Sequence, residues 1–221
     1  IAIADYNSDG YPDFYVSNDY TAPDYLYIND QNNGFTNELA QQMGHTSMFS
    51  MGNDAADVNN DGHSDLITLD MLPEDNKRQK LLLAPDNFSK FDLNVQNGLY
   101  YQYMRNMVHL NNSNGTFSEV GQFMNVSNTD WSWSALLADY DNDGWKDLYV
   151  TNGYFKDYTN QDYIKYMDSF VKERGRLTRE GVLELVSKMP ASNVNNYLFL
   201  NDSGNQFRKQ EKGWGGHLAS N

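Results

Sequence analysis

The sequence predicts an all-β fold with helical insertions, arranged as a partial β-propeller of four-stranded blades: about three blades plus the start of a fourth. Two repeated features predict it. A nine-residue acidic segment occurs at residues 5–13, 57–65 and 139–147, and a short β-branched and aromatic run follows each copy. An apolar strand followed by an Asn/Gly turn also occurs three times, beginning at residues 24, 106 and 196. Four-stranded units repeated along a chain are typical of propeller blades.

Each acidic segment has an oxygen-bearing side chain at positions 1, 3, 5 and 9 and a glycine at position 6, where the chain must turn sharply. These side chains and the carbonyl of position 7 are hard oxygen donors, which favour Ca²⁺ over zinc or copper. Ten aspartates clustered in three loops repel one another unless a cation lies among them. The sequence therefore predicts about three Ca²⁺ sites. The predicted ligands are Asp5, Asn7, Asp9, Tyr11 and Asp13 in the first loop, Asp57, Asn59, Asp61, His63 and Asp65 in the second, and Asp139, Asp141, Asp143, Trp145 and Asp147 in the third.

Two other structures share part of the pattern of the acidic segments: the EF-hand and a metal-free turn. The EF-hand shares the first half of the pattern but needs a glutamate at position 12 and a helix on either side. Position 12 here is Val16, Thr68 or Val150, within runs that favour strands. A metal-free Asx-rich turn is the alternative for any single loop. Three copies at matched positions favour calcium.

Spacing along the chain predicts where the blades begin and where extra residues are inserted. The interval from a hairpin start to the next acidic loop is 33 residues both from 24 to 57 and from 106 to 139. The interval from an acidic loop to its hairpin varies, so insertions lie between the second and third strands of a blade. The predicted units are blade 1 at 1–41, blade 2 at 50–122 with an insertion at 71–105, blade 3 at 134–210 with a helical insertion at 154–195, and the start of the next blade at 211–221.

Both insertions show helix signals. Leu72-Pro73-Glu74-Asp75 is typical of a helix start, with proline in the first turn and acids near the positive end of the dipole. Tyr163, Tyr166, Met167 and Phe170 recur at helical spacing, and a second helix is predicted from Thr178 to a residue before Pro190. We expect these apolar stripes to pack on the propeller, with partner binding as the alternative.

Composition restricts the partners and the compartment. The net charge is −14, which argues against a nucleic acid or an anionic membrane as partner; three bound Ca²⁺ ions would leave about −8. No apolar run approaches the ~18 residues that a transmembrane helix needs. The absence of cysteine neither requires nor excludes an oxidising compartment. Calcium loops in extracellular modules have Kd values on the order of 10⁻⁴ to 10⁻³ M and fill where calcium is millimolar, so we expect an extracellular, cell-surface or periplasmic protein.

The three loops and the blade pattern together resemble the FG-GAP or VCBS repeats of integrin α-subunit propellers and of bacterial and animal proteins related to cartilage acidic protein (ASPIC/UnbV-related proteins). The resemblance covers the whole chain, although the literal Phe-Gly and Gly-Ala-Pro signatures are replaced by stretches such as Phe49-Ser-Met-Gly52 and Trp131-Ser-Trp-Ser134. It implies a calcium-stabilised, secreted or cell-surface propeller of about seven blades, used in adhesion or ligand binding. Propellers of this repeat type also include sugar-binding lectins.

A ligand is expected on the face opposite the calcium loops. Successive connections in an antiparallel blade alternate between its two ends, so the insertions and the linkers between blades share that face. Loop-built surfaces with aromatic anchors favour binding. The candidate ligand-contacting residues are His45, Trp131, Trp133, Trp214 and His217. The alternative for each of them is ordinary packing between blades.

We therefore predict a calcium-binding adhesion or protein-binding module that is not an enzyme. The alternative is a carbohydrate-binding, lectin-like propeller. A glycan hydrolase or lyase that uses Glu74, Asp75 or Asp92 is less favoured, because the chain has none of the common nucleophile, metalloprotease or phosphate-binding motifs. Adding 33 residues to the third hairpin start places the next acidic loop near residue 229, so we expect the remaining blades of a longer propeller to be partners of these residues.

Overall fold

The computed structural model describes residues 1–19, 21–32, 34–83 and 87–210. Its strands form three antiparallel four-stranded sheets, which confirms the predicted fold class. Blade 1 contains β1 (Ala2–Ala4), β2 (Asp13–Val16), β3 (Tyr25–Asn29) and β4 (Phe35–Asn37) in that order across the sheet. The predicted start of a further blade at 211–221, with Trp214 and His217, lies outside the described residues.

Blades 2 and 3 repeat the same order of strands. Blade 2 contains β6 (Asn53–Ala56), β7 (Asp65–Thr68), β9 (Met107–Asn111) and β10 (Phe117–Glu119). Blade 3 contains β11 (Ser132–Ala138), β12 (Asp147–Asn152), β13 (Tyr197–Asn201) and β14 (Phe207–Lys209). The first strands β1, β6 and β11 contact one another in sequence, so the three sheets stand side by side around a common inner edge, as blades of a propeller do.

The core lies between neighbouring blades. Tyr15, Leu26 and Leu66 are buried in a cluster between blades 1 and 2, while Ile67 and Val108 belong to a cluster between blades 2 and 3. Consecutive strand residues point to opposite faces, so Leu66 and Ile67 serve different clusters. All four residues of β7 are therefore buried, whereas in β2 only Asp13 and Tyr15 are.

The described residues of the insertions form four helices: α2 (Asn76–Leu82), α3 (Phe88–Gln96), α4 (Gln161–Arg174) and α5 (Arg179–Lys188). Each begins at a side-chain cap, and Thr178, for example, accepts a hydrogen bond from the Gly181 N–H. Pro73 lies outside α2, because Asp75 is the cap and the helix begins at Asn76. No helix in the described residues is long and apolar enough to cross a bilayer.

Two elements of the linkers did not follow from the sequence. Helix α1 (Leu39–Gln42) buries Leu39 in the cluster between blades 1 and 2. Strand β5 (Thr46–Ser47) pairs in parallel with β8 (Gln102–Tyr103), at the end of the first insertion. This pair ties the linker between blades 1 and 2 to an insertion far away in sequence.

Both insertions leave from the strand ends opposite the acidic loops. Strand β12 begins at Asp147, the last residue of the third acidic loop, and its far end at Asn152 leads into the second insertion. Strand β7 runs in the same way from Asp65 toward the first insertion. The structure thus agrees with the expected separation of acidic loops and helical insertions on two faces.

Candidate metal centre and the opposite face

The three acidic loops have one backbone conformation. Position 4 is left-handed in every copy, with φ of 60° at Ser8, 55° at Asn60 and 61° at Asn142. Position 6 is glycine with φ of 87°, 90° and 93° at Gly10, Gly62 and Gly144. Asn adopts the left-handed region more readily than most residues, Ser adopts it less readily, and Gly adopts it freely. The repeated sequence therefore folds into a repeated loop geometry.

Hydrogen bonds fix the carboxylates within each loop in the same way. In loop 3, Asp139 accepts from the N–H groups of Asp143 (3.1 Å) and Gly144 (3.0 Å), and Asp143 Oδ1 accepts from Trp145 N–H (2.9 Å). Corresponding bonds are present at positions 1 and 5 of loops 1 and 2. Each loop thus holds its acidic side chains inward by bonds from its own backbone.

Oxygens of three carboxylates in loop 3 come close enough to hold one ion. Ligand atoms of Asp139, Asp141 and Asp147 lie within 4.8 Å of one another. Loops 1 and 2 have amides, Asn7 and Asn59, in place of Asp141. All of these side chains offer oxygen, so the donor set fits a hard cation such as Ca²⁺ in every loop.

The aspartate at position 9 is the buried member of each loop. Asp13, Asp65 and Asp147 are each 0% exposed. Burial raises the pKa of Asp65 to about 6, against the opposing effect of N–H donors from Asn111 and Val58, and it also raises the pKa of Asp13. None of the ten loop aspartates forms an ion pair within the part of the chain that the structure describes. Buried carboxylates without a counter-charge are costly, and a bound cation would remove that cost.

One residue type at this face was not predicted from the sequence: the asparagine that ends the third strand of each of the three blades. The N–H groups of Asn29, Asn111 and Asn201 donate to the position-9 carboxylates Asp13, Asp65 and Asp147, each at 2.8 Å. The sequence does contain a pattern that could have identified these asparagines, because each of them stands five residues after the hairpin start at 24, 106 or 196.

The candidate ligand residues on the opposite face occupy separate environments. His45 Nε2 lies 3.3 Å from Glu119, which also binds Arg105 at 3.0 Å. Trp131 stacks on Tyr154 with ring centroids 4.2 Å apart. Trp133 Nε1 donates to the Gly153 carbonyl at 2.6 Å. These contacts are consistent with the alternative role of these residues, which is packing between blades. Among the described residues, none of these contacts joins His45 to a tryptophan.

A polar cavity of about 720 Å³ opens between the first insertion and blade 3. Glu74 and Asp75 line it, whereas the third carboxylate considered for catalysis, Asp92, lies on α3 outside its lining. Glu74 accepts from Tyr197 Oη (3.0 Å) and Lys209 Nζ (2.6 Å). Lys209 Nζ also lies 4.3 Å from the centre of the Tyr197 ring, so it covers one face of that ring.

An ion-pair cluster contributes two residues, Arg78 and Asp130, to the lining of this cavity. Arg78 on α2 donates to Asp130 through Nε (2.5 Å) and Nη2 (3.0 Å) and to Asp157 through Nη2 (3.2 Å). Asp130 and Asp157 are 5% and 4% exposed. The guanidinium is thus fully engaged, and it joins the first insertion to the linker before blade 3 and to the second insertion.

Comparison with known proteins agrees with this architecture. The sequence model of the FG-GAP-like repeat family matches residues 5–68 and 92–150, which together make up more than half of the chain. The first range begins at Asp5 of loop 1 and ends with β7, and the second ends within β12 just after loop 3. A search of curated proteins found no significant match. The repeated loops, the blades built on them and the family match together show that this chain belongs to the FG-GAP-like repeat family.

Proposed function

We propose that this chain is a calcium-stabilised, non-enzymatic binding module of an extracellular, cell-surface or periplasmic protein that acts in adhesion or ligand recognition. The observation that carries the proposal is the conformation shared by the three acidic loops, each with a buried and unpaired carboxylate at position 9. A Ca²⁺ ion in each loop supplies the missing counter-charge. Side chains at positions 1, 3, 5 and 9 and the carbonyl at position 7 hold it.

Calorimetric titration with Ca²⁺ tests this function. We expect about three sites with Kd on the order of 10⁻⁴ to 10⁻³ M and a lower melting temperature in chelator, because bound ligand stabilises the folded state by mass action. Mg²⁺ is the matched control, since it demands a smaller octahedral site and should bind more weakly. A melting temperature that chelator leaves unchanged would show that the loops do not use calcium.

The partner is proposed to bind the face that carries the insertions. That face has the 720 Å³ cavity and many exposed apolar side chains, including Leu183 (61% exposed) and Val186 (46%) on α5. Exposed apolar side chains grouped on one helix are typical of protein-binding surfaces. A pull-down that compares the intact chain with a Leu183→Ser variant tests the role of this surface, and equal recovery of partner by both would contradict it.

A carbohydrate ligand is the second candidate, and the cavity is the observation that favours it. Asn193, Asn195 and Gln210 line the cavity together with Glu74 and Asp75, which gives amide donors and carboxylate acceptors for hydroxyl groups. A glycan array with the intact chain tests this candidate. Binding that is lost in an Asn193→Ala variant would assign the cavity, and an array without hits would remove the carbohydrate alternative.

The outer sheet faces of blades 1 and 3 are proposed to pack against further blades. On blade 1, Phe14, Tyr27 and Phe35 form an aromatic cluster with centroids 4.7 to 5.0 Å apart, and Phe35 is 47% exposed. On blade 3, Leu136 is 44% exposed. Open apolar sheet faces and edges favour association. We expect residues 1–221 alone to self-associate in light scattering, and a stable monomer at high concentration would contradict the proposal.

A further inference from the structure

The three position-9 aspartates are joined by a continuous chain of hydrogen bonds. In loop 1, the Tyr6 N–H donates to Asp13 Oδ2 at 2.8 Å. The carbonyl of the same Tyr6 accepts from the Asn111 side chain at 2.7 Å. Asn111 in turn donates its backbone N–H to Asp65 Oδ1 of loop 2 at 2.8 Å. One tyrosine and one asparagine therefore connect a predicted ligand of the first site to a predicted ligand of the second.

The same connection is repeated between loops 2 and 3. The Val58 N–H donates to Asp65 Oδ2 at 2.9 Å, and the Val58 carbonyl accepts from Asn201 Nδ2 at 2.8 Å. The Asn201 N–H donates to Asp147 Oδ1 at 2.8 Å. Asn111 and Asn201 are 4% and 5% exposed, so water competes little with these bonds.

Each asparagine also holds its own loop. Asn111 Nδ2 lies 3.3 Å from the Ser64 carbonyl, and Asn201 Nδ2 lies 2.9 Å from the Lys146 carbonyl. Both carbonyls belong to position 8, next to the metal-ligand aspartate. A single side chain thus bridges position 2 of one loop and position 8 of the next, and its own backbone positions the carboxylate at position 9.

Asn29 has the same place in blade 1 without the bridge. Its N–H donates to Asp13 Oδ1 at 2.8 Å, and its side chain donates to the position-8 carbonyl of Pro12 at 3.3 Å. Among the described residues it reaches no neighbouring loop. Asn29 therefore shows what the asparagine does within one loop and separates that role from the bridge.

We propose that Asn111 and Asn201 are positioning residues that couple the calcium sites, so that an ion bound in one loop raises the affinity of the next. The inference rests on the proposed calcium function. An ion that fixes the position-9 carboxylate of loop 2 also restrains Val58, whose N–H and carbonyl belong to successive peptide groups, and through Val58 it restrains the Asn201 side chain. Loop 3 then has less conformational freedom to lose when it binds its own ion, which is a source of positive cooperativity.

Direct repulsion between ions in neighbouring loops acts against this coupling, and it differs from the coupling in its dependence on salt. Loops 1 and 2 each carry three aspartates and loop 3 carries four, so every loop stays acidic with one Ca²⁺ bound. Repulsion between exposed charges weakens as salt is added. The bridge is buried, and we expect the coupling through it to persist in salt.

Trp145 allows Tb³⁺ binding at loop 3 to be followed. It stands at position 7 of that loop, where the other two loops have Tyr11 and His63. Its ring also lies beside Asn59 of loop 2, since a Cβ at Gly204 would be 3.0 Å from each of them, so the part of the tryptophan-sensitised Tb³⁺ emission that Asp143→Ala removes is the part assigned to loop 3. The experiment is a four-variant cycle with Tb³⁺ as the probe and Ca²⁺ as competitor. Its members are the unmodified chain, Asp61→Ala to weaken loop 2, Asn201→Ala to remove the bridge, and the two changes combined.

We expect Asp61→Ala to weaken Tb³⁺ binding at loop 3 by about fivefold or more in the unmodified chain, the lower range of measured couplings. In the Asn201→Ala background we expect the same change to have less than about a twofold effect. The Asn29→Ala background is the matched control and should retain the full effect. Charge removal at Asp61 acts on loop 3 through space in every background, so the cycle cancels it.

The outcomes separate this proposal from the calcium function itself. No saturable Trp145-sensitised signal would overturn both. A saturable signal that Asp61→Ala leaves unchanged, or weakens equally in both backgrounds, would overturn the coupling alone. If Asn201→Ala does not fold, Asn201→Ser replaces it with a shorter hydrogen-bond donor. The comparison of Asp61→Ala with the unmodified chain does not need either variant, and an unchanged Tb³⁺ affinity at loop 3 in that comparison refutes the coupling.

Discussion

Acid is expected to destabilise this protein through a buried histidine on β9. His109 is 1% exposed, and its Nε2 donates to the His45 carbonyl at 3.0 Å. Its Nδ1 is buried without a hydrogen-bond partner among the described residues. Burial lowers the pKa of His109 from 6.5 to about 4, although the His45 carbonyl and Glu119 act in the opposite direction. The folded state therefore holds a neutral imidazole where the unfolded chain binds a proton.

The size of the effect follows from linkage between protonation and folding. A base with a lowered pKa in the folded state contributes stability that is present above pH 6.5 and is lost as the pH falls toward 4. At ~1.4 kcal/mol per pKa unit, the full loss is about 3 kcal/mol, and about 2 kcal/mol is lost between pH 7.5 and pH 5. The charged neighbours Glu119 and Arg105, which pair with each other at 3.0 Å, act on the pKa of His109 in opposite directions, and each has a smaller effect than burial.

Other buried acids change with pH in the same range and must be subtracted. Burial raises the pKa of Asp24 to about 6, so its contribution improves as the pH falls from 6 toward 3.8. The pKa of Glu119 is lowered to about 2 by its bonds to His45, Gly121 and Arg105, which outweigh its burial; its stability is lost only below pH 4.5. Only a difference between two variants isolates His109.

Urea unfolding of the unmodified chain and of His109→Gln, both in saturating Ca²⁺, provides that difference. Glutamine can keep a donor to the His45 carbonyl but does not titrate. We expect the stability advantage of histidine over glutamine to shrink by about 2 kcal/mol between pH 7.5 and pH 5, with equal m-values. Two parallel stability curves over that range would refute the reasoning.

Three further substitutions test the loops, the ion-pair cluster and the blade interface. Asp143→Ala should weaken Ca²⁺ binding at loop 3 in calorimetry, because position 5 is a predicted ligand. Asn142→Gly is the control and should not weaken it, because glycine keeps the left-handed backbone that Asn142 has at φ 61°. Equal affinities in the two variants would contradict position 5 as a ligand. Arg78→Met should lower the free energy of unfolding in urea by about 3–5 kcal/mol, because it leaves the buried carboxylates of Asp130 and Asp157 without their ion-pair partner. Lys165→Met, at the exposed ion pair with Asp162, should lower it by less than about 1 kcal/mol. Similar losses in the two variants would refute the distinction between buried and exposed pairs. Gly52→Ala should lower the free energy of unfolding by about 1–3 kcal/mol, since a Cβ would lie 2.3 Å from the Trp133 carbonyl of blade 3. Gly44→Ala is the control and should be neutral, because no atom lies within 4 Å of a Cβ there. A neutral Gly52→Ala would mean that the blades separate easily.

Local structure could be predicted from the sequence alone. Asp and Asn at alternate positions before a glycine predicted the acidic loops, and the following β-branched runs predicted β2, β7 and β12. Residues at 3.6-residue spacing predicted α4 and α5, where Tyr163 and Phe170 are buried as expected. These features depend on residues within about nine positions of one another, so local propensity and spacing are sufficient to predict them. The repeat then implied blades, since no single unit buries its own apolar face.

The contacts that join the blades could not be predicted from the sequence. Asn111 reaches Tyr6 across 105 residues, Asn201 reaches Val58 across 143, and Arg78 reaches Asp157 across 79. The parallel pairing of β5 with β8 joins residues that are 56 positions apart, Thr46 with Gln102. Such contacts depend on which sheet faces meet and on the angle between blades, and no short pattern encodes that geometry. The acidic loops could therefore be predicted from the sequence. The hydrogen bonds of Asn111 and Asn201 that bridge the loops form only when neighbouring blades stand side by side.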